Sequence, residues 1–189
     1  MTKRIVAAFD FDGTITRRDT LTPFLKKYGS TKLAKVALET LLRVRHQGLR
    51  DDLKENILRE LFSGFPTEQF EMDGKKYAAT LPNLYRREIV ERINDHNRKG
   101  HALILVTASL GCYARPAAEA LGFHHTIAVE LTSHSGRLTG EMTGLNVRGP
   151  EKARLLRDHL GYEEIDLWAY GNSSGDKEML QMANHATKI

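Results

Sequence analysis

A short apolar run, Ile5 to Phe9, feeds directly into Asp10-Phe11-Asp12-Gly13-Thr14, and the next run of its kind, Ala102 to Val106, begins only at residue 102. Lys3 to Phe9 reads as a buried strand closed by an Asp-Gly turn. The long interval after it has a helical pattern: Thr22 is placed to cap a helix with Pro23 at its first position, and Leu33, Val36, Ala37, Leu41 and Val44 recur at helical spacing. Leu53, Ile57, Leu58 and Leu61 continue that period, and a helix from about Leu84 to Lys99 ends at Gly100. From residue 101 the order becomes strand, helix, strand: Ala102 to Val106, Cys112 to Leu121, Thr126 to Leu131, a hairpin through Ser133 to Gly136 into Arg137 to Glu141, a helix Glu151 to Leu160 opened by Pro150, a strand Ile165 to Tyr170 and a helix Lys177 to Ala183. Such alternation indicates an α/β fold with a doubly wound parallel sheet. The expected organisation is a core of residues 1–16 and 100–189, with a helical cap, 17–99, inserted after the first strand.

Composition excludes several other classes. The 41% apolar and 28% charged content is that of a globular chain, and no repeat or biased tract suggests a solenoid or a disordered segment. The longest apolar runs are far short of a membrane span, and Asp10 interrupts the first one too early for a secretory signal, so the expected location is cytoplasmic. One cysteine, Cys112, forms neither an internal disulfide nor a thiol metal cluster, and reads as a buried inert thiol. The net charge of +4 is too small to imply nucleic acid, and Trp168 lies inside a strand with no aromatic residues interleaved along a basic stripe. Residues 17–99 hold 18 basic and 12 acidic side chains, so the insert is basic and the remainder mildly acidic.

In a doubly wound sheet, chemistry belongs in the crevice at the carboxyl ends of the strands. Four polar stations fall there: Asp10 to Thr16, Thr107 to Ser109, Lys152 near the start of a helix, and Asn172 to Asp176. Asp10 and Asp12 are two apart, so in an extended chain both carboxylates face one side and Phe11 the other. A hard divalent cation such as Mg2+ relieves their repulsion. Residue type alone also allows plainer roles: Asp12-Gly13 as a turn, Thr107 as a helix cap, Lys152 as a solvated helix lysine, and Ser173 and Ser174 as a turn.

With these stations in this order, the chain resembles the haloacid dehalogenase (HAD) superfamily, in its phosphoserine-phosphatase-like branch, subfamily IB. The resemblance implies a Rossmann-like core and a Mg2+-dependent hydrolysis of a phosphomonoester, with Asp10 as nucleophile forming an aspartyl phosphate and Asp12 as general acid and base. It places Gly13, Thr107, Ala108 and Lys152 on the phosphate, and Asp10, Asp12, Asn172 and Asp176 around the metal. Many relatives have an aspartate at Asn172, whose amide oxygen ligates with one less negative charge. The implied partner is a small phosphorylated metabolite or a lipid phosphate. A phospho-receiver domain lacks an Asp-x-Asp on its first strand and the inserted cap. An inactive binding protein and a phosphoryl transferase are the other readings.

Two features bear on the substrate. Asp19 lies where amino-acid phosphatases of this branch have a glutamate that meets the substrate amine, and it also suits a helix entry. Arg43, Arg45 and Arg50, beside the amphipathic run Leu33 to Val44, border the cap entrance in one reading and steer polyanions or rest on an anionic membrane, making the protein peripheral to it. In the other they lie on a solvated helix face.

Overall fold

The computed structural model describes residues 3–31, 35, 49–161 and 164–189. In chain order, β1 (Arg4–Phe9) leads through a tight turn to α1 (Leu21–Lys26), α2 (Leu49–Phe62), α3 (Thr67–Ala78) and α4 (Arg87–Arg98). Then follow β2 (Ala102–Leu110), α5 (Gly111–Ala120), β3 (His125–Val129), the hairpin β4 (Leu131–His134) and β5 (Arg137–Met142), α6 (Pro150–Leu160), β6 (Ile165–Gly171), α7 (Lys177–Gln181) and β7 (His185–Lys188).

Five parallel strands form one sheet in the order β3-β2-β1-β6-β7. The central position of β1 explains its unbroken apolar run, because Val6 to Phe9 are buried without alternation. The mixed α/β architecture expected from the sequence is therefore present, with α5 lying on β2 and β3 and α7 on β6 and β7. Helix α4 also serves the sheet: His96 contacts the Phe9 ring edge-on at 6.0 Å between ring centres and bonds the Tyr170 hydroxyl at 2.9 Å.

The inserted segment is joined to the core by rings. Phe24 and Tyr77 meet Tyr113 of α5 with ring centres 5.1 and 5.3 Å apart, and Phe70 meets both Phe24 and Phe62 edge-on. Main-chain bonds from Leu138 to Phe65 and from Gly64 to Leu138, both 2.8 Å, tie the β4–β5 hairpin to the end of α2.

Several local expectations need correction. Helix α1 begins at Leu21, not at Pro23, because the Asp19 carboxylate accepts from the Leu21 and Thr22 N–H groups at 3.2 and 3.1 Å. Strand β2 runs on to Leu110, and the residue before α5 is Leu110, so Thr107 caps no helix. Strand β7 was not expected at all; its His185-Ala186-Thr187-Lys188 is a mostly exposed edge with no apolar signature. The run Leu33 to Val44, with Arg43 and Arg45, lies outside the described residues. Of Arg50, only its backbone in the first turn of α2 is described. Cys112 is buried, and burial pushes its thiol pKa up, as expected of an inert cysteine.

Gly74 shows how closely the insert meets the core. It lies inside α3, where glycine costs about 1 kcal/mol relative to alanine. A Cβ there would sit 2.5 Å from the Cys112 carbonyl oxygen, backbone that cannot swing aside. Gly74→Ala should therefore destabilise despite its better helix propensity, by roughly 1–3 kcal/mol as expected for overpacking. A raised melting temperature in thermal unfolding would contradict the close α3–α5 approach.

Candidate active site

The strand order reverses between β1 and β6, and this opens a crevice at their carboxyl ends. Phe9 pairs with Tyr170, and the Asp10 N–H extends that pairing to the Tyr170 carbonyl at 2.9 Å. Asp10 therefore emerges beside Gly171 and Asn172. The chain then turns sharply: Asp12 (φ −75°, ψ 118°) and Gly13 (φ 81°, ψ −13°) have the central geometry of a type II turn. Glycine is required there twice over, since a Cβ would also fall 1.9 Å from the Asn172 side-chain nitrogen.

Lys152 is 2% exposed, so it is no solvated helix lysine. Its ammonium donates to Asp10 Oδ1 at 2.7 Å and to Asp176 Oδ1 at 2.6 Å. Burial alone would lower the Lys152 pKa, but the two carboxylates outweigh it and hold the pKa above the usual lysine value. For Asp176, burial is likewise outweighed by the Lys152 charge and by bonds from Lys152 and Ser173, so its pKa is lowered. At Asp10, burial pushes the carboxyl up against the pull of Lys152, and Thr14 donates to its second oxygen at 2.8 Å.

Asp12 has no such cation. Its Oδ1 accepts from the Thr20 N–H and hydroxyl at 2.9 and 2.7 Å, and its Oδ2 from the Ser109 hydroxyl at 2.6 Å. Burial dominates over these bonds and raises its pKa to about 6. Two neighbouring carboxyls thus have different surroundings, one paired with an ammonium and one held by neutral donors.

All four stations open on one cleft of about 630 Å3. Asp10, Asp12, Gly13, Thr107, Ala108 and Lys152 line it, as do Asn172, Asp176 and Asp19. Thr107 is buried and accepts from the Ser109 N–H at 3.0 Å. Ser173 belongs to the turn and does more: it accepts from the Gly175 N–H while its own N–H and hydroxyl both donate to Asp176 Oδ2 at 2.9 Å. Among the described residues, no three His, Cys, Asp or Glu side chains are grouped to hold a metal ion. The oxygen donors at the cleft floor are two carboxylates, Asp10 and Asp176, and the Asn172 amide, a hard set that suits Mg2+.

Sequence reasoning gave no role to Ser109, Thr20 or Lys54. Lys54 is buried on α2 and donates to the Ala108 carbonyl at 2.5 Å and to Asn146 at 2.7 Å. A signal existed: Lys54 shares a helical face with Leu58 and Leu61, both buried. Thr20 and Ser109 left no such signal, since their importance comes from long-range contact with Asp12.

A parallel sheet with an insert after its first strand, and an acidic pair, a threonine and a buried lysine gathered at the strand ends, define an α/β protein with a strand-end site. The family model for haloacid dehalogenase-like hydrolases matches residues 7–181, and the chain belongs to that family. It is 34% identical over 189 residues to protein CicA of Caulobacter vibrioides, covering 95% of this chain and 83% of that one. It is 25% identical to the phosphoserine phosphatase of Methanocaldococcus jannaschii, covering 96% and 83% of the two chains. Among solved structures, a Bordetella pertussis Tohama I protein of unknown function superposes with a TM-score of 0.77 at 20% identity, covering 95% of this chain and 87% of that one. A substrate-bound phosphoserine phosphatase complex superposes at 0.67 and 20%, covering 97% and 84%.

The Asp12 environment makes a stability prediction. Its folded pKa, about 6, lies above the ordinary carboxyl value of 3.8, so the folded state holds the proton more tightly. Stability from this group is present at low pH and is lost as pH rises through that window. Asp12→Asn retains the shape without the charge. It should stabilise the metal-free protein by roughly 1–3 kcal/mol at pH 7.5, with the gain shrinking toward pH 4. Thermal melts of both proteins across this range check it; a gain independent of pH would refute the assignment.

Proposed function

We propose that the protein is a Mg2+-dependent phosphatase that hydrolyses a phosphomonoester through an aspartyl phosphate on Asp10. The observation that carries this reading is the contrast within the acidic pair. Asp10 meets the Lys152 ammonium at 2.7 Å, a partner suited to a nucleophilic carboxylate, whereas Asp12 meets only neutral donors and, with a pKa near 6, is able to hold a proton close to neutral pH. The family membership and the phosphoserine phosphatases among its relatives support it.

In the first step an Asp10 oxygen bonds to phosphorus as the bond to the leaving oxygen breaks, and Asp12 gives that oxygen its proton. In the second, Asp12 takes a proton from water, whose oxygen attacks the same phosphorus and releases phosphate and the Asp10 carboxylate. Lys152 balances charge on Asp10 and the phosphoryl oxygens, and Thr107 and the main chain at Ala108 hold those oxygens. Asp10, Asn172 and Asp176 would hold Mg2+, which supplies further positive charge to the phosphoryl group. The Asp12 carboxylate accepts from Thr20 and Ser109, which hold it in place for proton transfer. The insert 17–99 serves as a cap, with Leu21, Leu25, Leu53 and Ile57 forming an apolar wall of the cleft. Among the described residues, no helix is long and apolar enough to cross a membrane.

Purified protein should hydrolyse an aryl phosphate with Mg2+ and stop when a chelator is added. Asp10→Asn should abolish turnover; wild-type activity in that variant would end the aspartyl-phosphate reading. Asp12→Asn should lose ~100-fold or more with a poor leaving group and less with a good one. Equal losses would remove its acid role. Asn172→Asp should lower the Mg2+ concentration for half-maximal rate, since it adds a charge beside the cation. A titration with unchanged or weaker Mg2+ dependence would take Asn172 out of the metal shell.

A further inference from the structure

We propose that the substrate bears a second anionic group on its leaving side, a carboxylate or another phosphate, and that Arg17 and Arg18 receive it; this rests on the phosphatase reading. The cleft is electrically divided. At its floor, the Lys152 ammonium is taken up by Asp10 and Asp176. The other two cations that line it already hold protein groups: Lys54 binds Ala108 and Asn146, and Arg148 donates to the Ser174 hydroxyl at 3.2 Å. Arg17 and Arg18 also line the cleft and are exposed, and their side chains form no ion pair or hydrogen bond with the described residues.

Their main chain, in contrast, is anchored. The Arg17 N–H donates to the Leu84 carbonyl at 2.9 Å, and the Thr16 hydroxyl donates to the Arg18 carbonyl at 2.8 Å. Two guanidinium groups therefore extend from a fixed base, which lowers the ordering cost of binding. Their forked N–H groups match the oxygens of a carboxylate or phosphate. Asp19, the next residue in the chain, is turned to the helix instead, its two oxygens accepting the Leu21 and Thr22 N–H groups. The same engagement leaves Asp19 less free to turn toward an amine. An amine-bearing leaving group would lose the Asp19 contact and face two guanidinium charges.

The test compares kcat/KM with Mg2+ for glycerol phosphate, phosphoethanolamine, 3-phosphoglycerate and a sugar bisphosphate, in the wild type and in Arg17→Gln/Arg18→Gln. The wild type should favour one or both of the anionic esters over glycerol phosphate by about 10-fold or more at low salt, in line with charge-assisted bonds. The double variant should bring that ratio close to one, Arg17→Lys/Arg18→Lys should keep part of it, and added salt should reduce it in the wild type. Which ester leads identifies the anion as carboxylate or phosphate. No preference in the wild type, an unchanged ratio in the variant, or a preference for phosphoethanolamine would overturn the proposal.

Failure of the phosphatase reading is separately visible as no aryl phosphate turnover at all. In that event thermal shifts with phosphonoacetate and with methylphosphonate decide. A larger shift with phosphonoacetate that disappears in Arg17→Gln/Arg18→Gln supports the anion site, and equal shifts in both proteins reject it.

Discussion

The site depends on one buried ammonium. Lys152 Nζ bridges Asp10 at 2.7 Å and Asp176 at 2.6 Å, and these three side chains come from the end of β1, the first turn of α6 and the turn after β6. Without the cation, two buried carboxylates would face each other, and breaking such a group leaves an uncompensated charge that costs about 3–5 kcal/mol. The start of a helix is also a poor place for a lysine, because its unpaired N–H groups carry positive charge. The paired carboxylates offset that cost and so bind the position of α6 to the strand ends. Separately, the Ser173 N–H and hydroxyl hold the other oxygen of Asp176, which fixes its orientation toward Lys152.

A second set of contacts connects the insert to the same floor. Lys54 of α2 holds the Ala108 carbonyl next to Thr107, and Asn146, which accepts from Lys54, donates to Asp51 one turn earlier on α2 at 2.6 Å. Three segments distant in sequence thus meet through one lysine and one amide. Thr20, at the start of α1, reaches Asp12 in a similar way. The insert therefore shapes the second station and, together with Ser109, the Asp12 environment, while Asp10 is held by Lys152.

The parts of this organisation visible in the sequence were those with local or periodic causes. β1 was legible because a strand buried on both faces has to be continuously apolar, and Gly13 because a turn with positive φ demands it. The four stations could be assigned because a doubly wound sheet collects its strand ends. Lys152 could be assigned to the cleft only with the help of the family resemblance, since composition favoured an exposed lysine and nothing local marks the burial it has. Asp19 at a helix entry and Ser173 in a turn were legible as local roles, whereas the end of β2 at Leu110 was not, because it depends on pairing that closes only when the chain folds. β7 was missed because an exposed edge strand has no alternation to detect, and its pairing with β6 is determined by the neighbour.

Asn172 and Gly13 illustrate how two stations constrain each other. Asn172 follows β6 and Gly13 follows β1, yet the Asn172 amide occupies the space a Gly13 side chain would need. The amide at 172 thus lies where it does because position 13 leaves that space open. Charge points the same way. Asp10 and Asp176 already share a single ammonium, so an aspartate at 172 would add a third negative charge at the floor for Lys152 to balance in the absence of a metal. A neutral amide keeps the metal-free floor closer to balance while retaining an oxygen donor. Geometry at residue 13 and electrostatics at Lys152 are thus two halves of one constraint on Asn172.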